Sequence, residues 1–113
     1  MSAIEAKSQA LLKLFIGEVE TRCDGKVRLF GPRDLAMRGS HACFAHPEGY
    51  AVMQALIARG IVGDFRAPDL MRFGFTPLYT SFEDVWRAAD ALADILATRA
   101  WDQLRFRERS RVT

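Results

Sequence analysis

Apolar residues recur at helical spacing in three stretches of this chain. In the first, Leu11, Leu12, Phe15, Ile16 and Val19 follow one face while Glu5, Ser8, Gln9, Lys13 and Glu20 take the other. Ser2 and Glu5 stand in capping-box spacing, so the pattern predicts a long N-terminal helix ending at the turn signal Asp24-Gly25. In the second, Pro47 is preset for a first helical position, and Tyr50, Met53, Leu56 and Ile57 line a face. Arg59-Gly60 then supplies a cationic last turn and a left-handed cap. In the third, Ser81 with Asp84 offers an N-cap, and Phe82, Val85, Ala89, Leu92 and Leu96 predict a helix reaching Thr98.

Between these helices the period shortens. Residues 27–30, closed by Gly31-Pro32, form a short strand candidate, and a loop follows to Gly39. Residues 40–45 are too few and too rich in small and aromatic groups for a helix, and His46-Pro47 blocks helical continuation, so a strand is expected. Residues 61–66 and 70–75 read as two strands joined through Ala67-Pro68-Asp69, short enough to make an antiparallel hairpin. Beyond Trp101 the chain is nearly all polar, and a frayed, arginine-rich, disordered tail is expected over 102–113. The order helix, strand, strand, helix, strand, strand, helix predicts an α+β fold for residues 1–101. A small, mostly antiparallel sheet of about four strands would be covered by helices on one face.

Composition narrows the class. The chain has 113 residues, 50% of them hydrophobic, and a chain of this size can remove roughly 60 to 70% of its unfolded surface from water without metal or disulfide staples. Sixteen Lys plus Arg against fourteen Asp plus Glu leave a formal charge of only +2, too little to argue for nucleic acid or an anionic membrane. No apolar run approaches the roughly 18 to 20 residues of a membrane span, and neither a secretory leader nor a cysteine framework is evident, so a cytoplasmic protein is expected. Thirteen of the 16 basic residues are arginine, leaving only Lys7, Lys13 and Lys26.

Arg72 is the candidate binding residue. It interrupts the apolar stretch 70–75, and a period of two places Met71, Phe73 and Phe75 on the core face and Arg72 with Gly74 on the other. A rigid five-donor fork beside a position without a side chain suits bidentate capture of a carboxylate or phosphate, and an ordinary solvated arginine fits the same pattern. His41, Cys43 and His46 invite a metal reading, but on a strand His41 and Cys43 share a face while His46 falls past its end, with no third ligand nearby. Asp64, near Arg66 and Asp69, stands at a strand end where aspartates are mostly solvated or capping. Cys23 and Cys43 lack a flanking base and read as small hydrophobes. No nucleophile elbow, P-loop or dinucleotide fingerprint occurs, so no catalytic residue or metal is assigned. The arginines of the tail, with Phe106 between them, are too few for a nucleic-acid face.

Three ordered segments carry a resemblance to a known family: "RGSHACF" at 38–44, "EGYAVMQALIARGIVGDFRAPD" at 48–69 and "LMRFGFTPLYTSFEDVW" at 70–86. Together with "AIEAKSQALLKLFIGEVE" at the start, they resemble the C-terminal small domain of kynureninases, fold-type I enzymes similar to class V aminotransferases. The resemblance implies a homodimeric hydrolase of tryptophan catabolism, in the kynurenine pathway. It would use pyridoxal 5'-phosphate to cleave L-kynurenine or 3-hydroxykynurenine into an anthranilate and L-alanine. It also implies that Arg72, in the strand before "PLY", binds the substrate α-carboxylate. In the family the cofactor lysine and phosphate site lie in a large domain that precedes this one, so the chain by itself is expected to be inactive and to bind no cofactor. The alternative is a stand-alone, non-catalytic interaction module that keeps the small-domain fold.

Overall fold

Alternation along residues 70–74 organises the sheet, because Met71 and Phe73 are fully buried while the residues between them are not. The computed structural model describes residues 3–23, 25–31, 41–75 and 80–108. In chain order the elements are α1 (Ala3–Arg22), β1 (Arg28–Phe30), β2 (His41–Ala45), α2 (Gly49–Ala58), β3 (Asp64–Arg66), β4 (Leu70–Gly74), α3 (Phe82–Thr98) and α4 (Leu104–Arg107). The strands form one four-stranded sheet in the order β1-β2-β4-β3, with every neighbouring pair antiparallel. Both edge strands, β1 and β3, have only three residues, which limits the unpaired backbone offered to another chain. This is the α+β arrangement expected from the sequence.

Period two gives the sheet a dry face and a polar one. Ala42 and Phe44 of β2 join Met71 and Phe73 of β4 on the dry face, all at 0% exposure, and α1 and α2 pack there. Phe15 of α1 is the pivot, with ring centroids 4.8 Å from Phe73, 5.1 Å from Phe75 and 6.0 Å from Phe44. Such tilted and edge-on contacts suit the aromatic quadrupole better than face-to-face stacking. The buried residues of α1 are Leu11, Leu12, Phe15, Ile16 and Val19, the stripe read from periodicity. Helix α3 packs along α1 and also meets α2.

The caps follow local chemistry. Ser81 accepts from the Asp84 backbone N–H while the Asp84 carboxylate accepts from the Ser81 N–H, a capping box that holds the Asp84 carboxyl below its ordinary range. At the end of α2 the Gly60 N–H donates to the Ile57 carbonyl and the Ile61 N–H to the Leu56 carbonyl. That double closure is a Schellman motif, and it requires the left-handed φ of +84° that Gly60 adopts. The predicted cap at Ser2 and the loop over 32–40 lie outside the described residues.

Four details depart from the sequence expectation. Helix α2 begins at Gly49 with Pro47 in the preceding turn, and it buries Ala51, Val52, Met53, Ala55 and Leu56 while leaving Ile57 46% exposed. The helix is covered by the sheet on one side and α3 on another, so its dry stripe is broader than a single face of large residues. Phe82, in the first turn of α3, is likewise 48% exposed. Strand β3 starts at Asp64 instead of residue 61: the Ile61 N–H is taken by the Leu56 carbonyl in closing α2, and pairing with β4 runs over Asp64–Arg66. Finally, residues 104–107 form helix α4 with Phe106 buried, where a frayed tail was expected. Phe106 anchors that turn, and Arg107 ties it down by bonding Asp102 and reaching Glu48 at the head of α2. Residues 109–113 lie outside the described residues.

Phe15→Ala removes the ring that three other phenylalanines pack on, and it is expected to destabilise the domain by about 3–5 kcal/mol, as for other buried aromatics. Urea unfolding followed by circular dichroism checks this. A cost under about 1 kcal/mol would show that the cluster is not the core's anchor.

Candidate functional site

The polar face of the sheet collects Arg72 of β4, Asp64 of β3 and Cys43 of β2 in one cross-strand row. Asp64 and Cys43 are the two register partners of Arg72, and His41 stands opposite Gly74 one step along. Side chains directly across an antiparallel pair are close enough to interact, so register alone brings these groups together.

Arg72 and Asp64 form a two-pronged ion pair. Arg72 Nε donates to Asp64 Oδ1 at 2.9 Å, and Nη2 donates to Oδ2. This bond to Asp64 is the main reason the guanidinium is held still more firmly in its charged form. The Arg72 side chain is 30% exposed and that of Asp64 47%, so water still reaches the pair. Among the described residues no hydrogen bond engages Nη1. A shallow concavity of about 230 Å³ opens here, lined by His41, Val62, Gly63, Asp64, Arg72 and Gly74. Val62 and Gly74 also line a second hollow of about 360 Å³ that continues to Phe75, Thr80 and the first turns of α3. A carboxylate headgroup is only a few times the roughly 30 Å³ share of one water and fits the first concavity.

The other candidates fall elsewhere. His41 and Cys43 share the polar face of β2, whereas His46 lies past the strand end. There His46 Nδ1 accepts from the Glu48 backbone N–H at 2.9 Å and the imidazole packs edge-on to Trp101. His46 is thus part of the entry to α2. Among the described residues no group of three metal-ligating side chains converges. Neither Cys23 nor Cys43 is in a disulfide, and burial pushes the Cys23 thiol up in pKa, which suits a core residue. Lys7 and Lys13 ride on α1, over the dry face, and Lys26 sits in the turn before β1. Arg105 stacks over Phe106 and Arg107 bonds carboxylates of this same chain, so both serve the fold. No helix among the described residues is long and apolar enough to cross a membrane.

Sequence reasoning missed the partnership of Asp64 with Arg72. Its signal was present in the hairpin: a three-residue connection at 67–69 places 66 opposite 70, and therefore 64 opposite 72. The segment 76–79, which contains the "PLY" of the family motif, lies outside the described residues.

Helices cover one face of a small antiparallel sheet, and an arginine paired with the carboxylate of Asp64 stands on the other. Residues 4–92 match the kynureninase C-terminal domain family, and the chain belongs to it. Over its whole length it is 55% identical to the kynureninases of Burkholderia mallei (strain SAVP1) and Burkholderia pseudomallei (strain K96243). It is 54% identical to the kynureninase of Pseudomonas fluorescens. The chain spans 27% of the length of these relatives.

His46 provides a pH test of the local structure. Burial lowers its pKa below the usual 6.5, with Glu48 opposing the shift. The unfolded chain therefore takes up a proton that the folded one refuses. Stability is complete above about pH 6.5 and falls as pH drops through the interval down to the folded value, by at most about 1.4 kcal/mol per pH unit. Between about pH 5 and pH 7.5, His46→Asn should flatten this part of the stability curve. Parallel curves for the two proteins would assign the pH dependence to another group.

Proposed function

We propose that this chain is the C-terminal domain of a kynureninase and that Arg72 holds the α-carboxylate of the amino-acid substrate. The observation that supports it most is the fork of Arg72: Asp64 engages Nε and Nη2, no hydrogen bond among the described residues engages Nη1, and the side chain lines a concavity on the polar sheet face. The substrate class is L-kynurenine or 3-hydroxykynurenine, the products are an anthranilate and L-alanine, and the complete enzyme is a cytoplasmic homodimer. An interaction module without chemistry is less favoured, since identity of 54–55% runs through the whole chain.

Pyridoxal 5'-phosphate is the cofactor this assignment implies, and it supplies the electron sink for cleavage beside the α-carbon. Among the described residues no lysine stands beside Arg72. A Schiff-base lysine would have to stand near Arg72, whereas Lys7 and Lys13 lie across the sheet on α1 and Lys26 is in a turn. We assign the cofactor lysine and the phosphate cradle to the part of the enzyme outside this chain, and orientation of the substrate to this part. Two parallel charge-assisted hydrogen bonds fix both the distance and the rotation of an α-amino acid, which a point charge does not.

In a whole enzyme carrying this domain, Arg72→Ala should lower kcat/KM for L-kynurenine by about two to four powers of ten with little change in Tm, and Arg72→Lys should recover only part of the loss. Near-normal kcat/KM in Arg72→Ala, or a loss explained by unfolding, would make Arg72 a structural residue. The 113-residue chain alone is expected to form no specific borohydride-trappable adduct with pyridoxal 5'-phosphate. Mass spectrometry locating such an adduct at one lysine would count against the division of labour.

A further inference from the structure

We infer that Asp64 is a positioning residue for Arg72: its carboxylate grips the Nε/Nη2 edge of the guanidinium and presents the Nη1/Nη2 edge to the carboxylate of the substrate. This rests on the role of Arg72 proposed above.

The geometry carries the inference. A guanidinium has five N–H donors in one plane, and Asp64 uses two of them, one on Nε and one on Nη2. The remaining Nη2 hydrogen and one Nη1 hydrogen point away in parallel along a different edge of the fork, which is the arrangement a second bidentate carboxylate needs. The concavity lined by His41, Val62, Gly63, Asp64, Arg72 and Gly74 provides room for that carboxylate.

Asp64 is itself well placed to hold Arg72 still. It lies directly across the ladder, and its neighbour Phe65 packs against the core. On its other side Gly63 approaches the Arg72 carbonyl so closely that no side chain fits without displacement. A four-bond side chain on an exposed sheet face would otherwise sample many rotamers, and the freedom lost on binding would weaken capture. With Asp64 in place that ordering is completed on folding. The ion pair also reduces the net charge of the row, so affinity depends on the shape of the open edge more than on long-range attraction. The rival arrangement is that Asp64 occupies the place of the substrate carboxylate and competes with it.

The kinetic test uses a chimera in which this chain replaces the corresponding part of the Pseudomonas fluorescens kynureninase, its 54% identical relative. A contact that orients the carboxylate in both ground and transition state acts on KM, so Asp64→Asn should raise KM for L-kynurenine about tenfold or more while kcat stays within about threefold and Tm barely moves. Asp64→Glu, which keeps the charge, should recover part of the loss. In the 113-residue chain the Arg72 Nε–H should exchange with solvent slowly by NMR, and about tenfold faster in Asp64→Asn. A merely structural aspartate would lower Tm and the active fraction without this split.

The result that overturns the inference is an unchanged or lowered KM in Asp64→Asn while Arg72→Ala still raises it, since Asp64 is then a bystander or a competitor and Arg72 remains the anchor. Equal Nε–H exchange in the two chains overturns it as well. If Arg72→Ala leaves both KM and kcat unchanged, the carboxylate role of Arg72 itself fails, and the role of Asp64 fails with it.

Discussion

Strand β4 has to place Met71 and Phe73 in a dry core and Arg72 in water, and only one register satisfies both demands. It is an inner strand, hydrogen-bonded to β2 on one side and β3 on the other, so its alternation is imposed from both flanks. A slip by one residue would drive the guanidinium into the ring cluster of Phe15, Phe44 and Phe73, where an unpaired charge is prohibitive. The hydrophobic effect that folds the domain is therefore also what aims its arginine outward. Phe15 contributes from the far side: by filling the space over Phe73 it keeps the strand seated, so a residue on α1 helps to fix the position of a group on the opposite face of the sheet.

Arginine's dominance over lysine has a structural explanation in the surface pairs. Arg22 bonds Glu18 and Asp90 while stacking over Trp86, and Asp102 is held well ionised by Arg99 and Arg107, both of which lie near the face of Trp101. Individually such exposed ion pairs contribute little. What they add is geometry: a planar fork can bond a carboxylate along its edge and cover an aromatic ring with its face at the same time. Arg107 uses this to bind α4 to the start of α2, next to the His46 and Trp101 contact. The basic residues near the C-terminus are in this way part of the fold, up to the end of the described chain.

Where local chemistry decides, the sequence was legible. The stripe of α1, the Ser81 and Asp84 box, the turn at Gly60 and the hairpin at 67–69 all follow from residue type and spacing, and Arg72 could be placed on the polar face by counting alone. Where tertiary packing decides, it was not. The buried alanines of α2 carry no strong periodic signal, and Ile57 is pushed outward because the sheet and α3 already claim the rest of that helix. Phe106 looked like one aromatic among charges, and it is buried where α4 packs against α2, far away in the chain. The pairing of Asp64 with Arg72 lies between these cases: it is implied by the hairpin, but only once the strands are laid side by side and the register is counted.

An open concavity and a 30% exposed arginine also set what this domain can do unaided. In water a carboxylate gains little from an exposed guanidinium, because the solvent it displaces is nearly as good a partner. The same two hydrogen bonds become worth far more once water is excluded and the local dielectric falls. On the function proposed here, the domain's contribution is direction: the sheet fixes the strand, the strand fixes the arginine, and Asp64 fixes the fork. Strength then has to come from whatever closes over the polar face. That division separates the two properties an enzyme needs of an anchoring residue. On the proposed function its orientation is built by folding, through the pair with Asp64, before any substrate arrives, and its affinity belongs to the assembled enzyme.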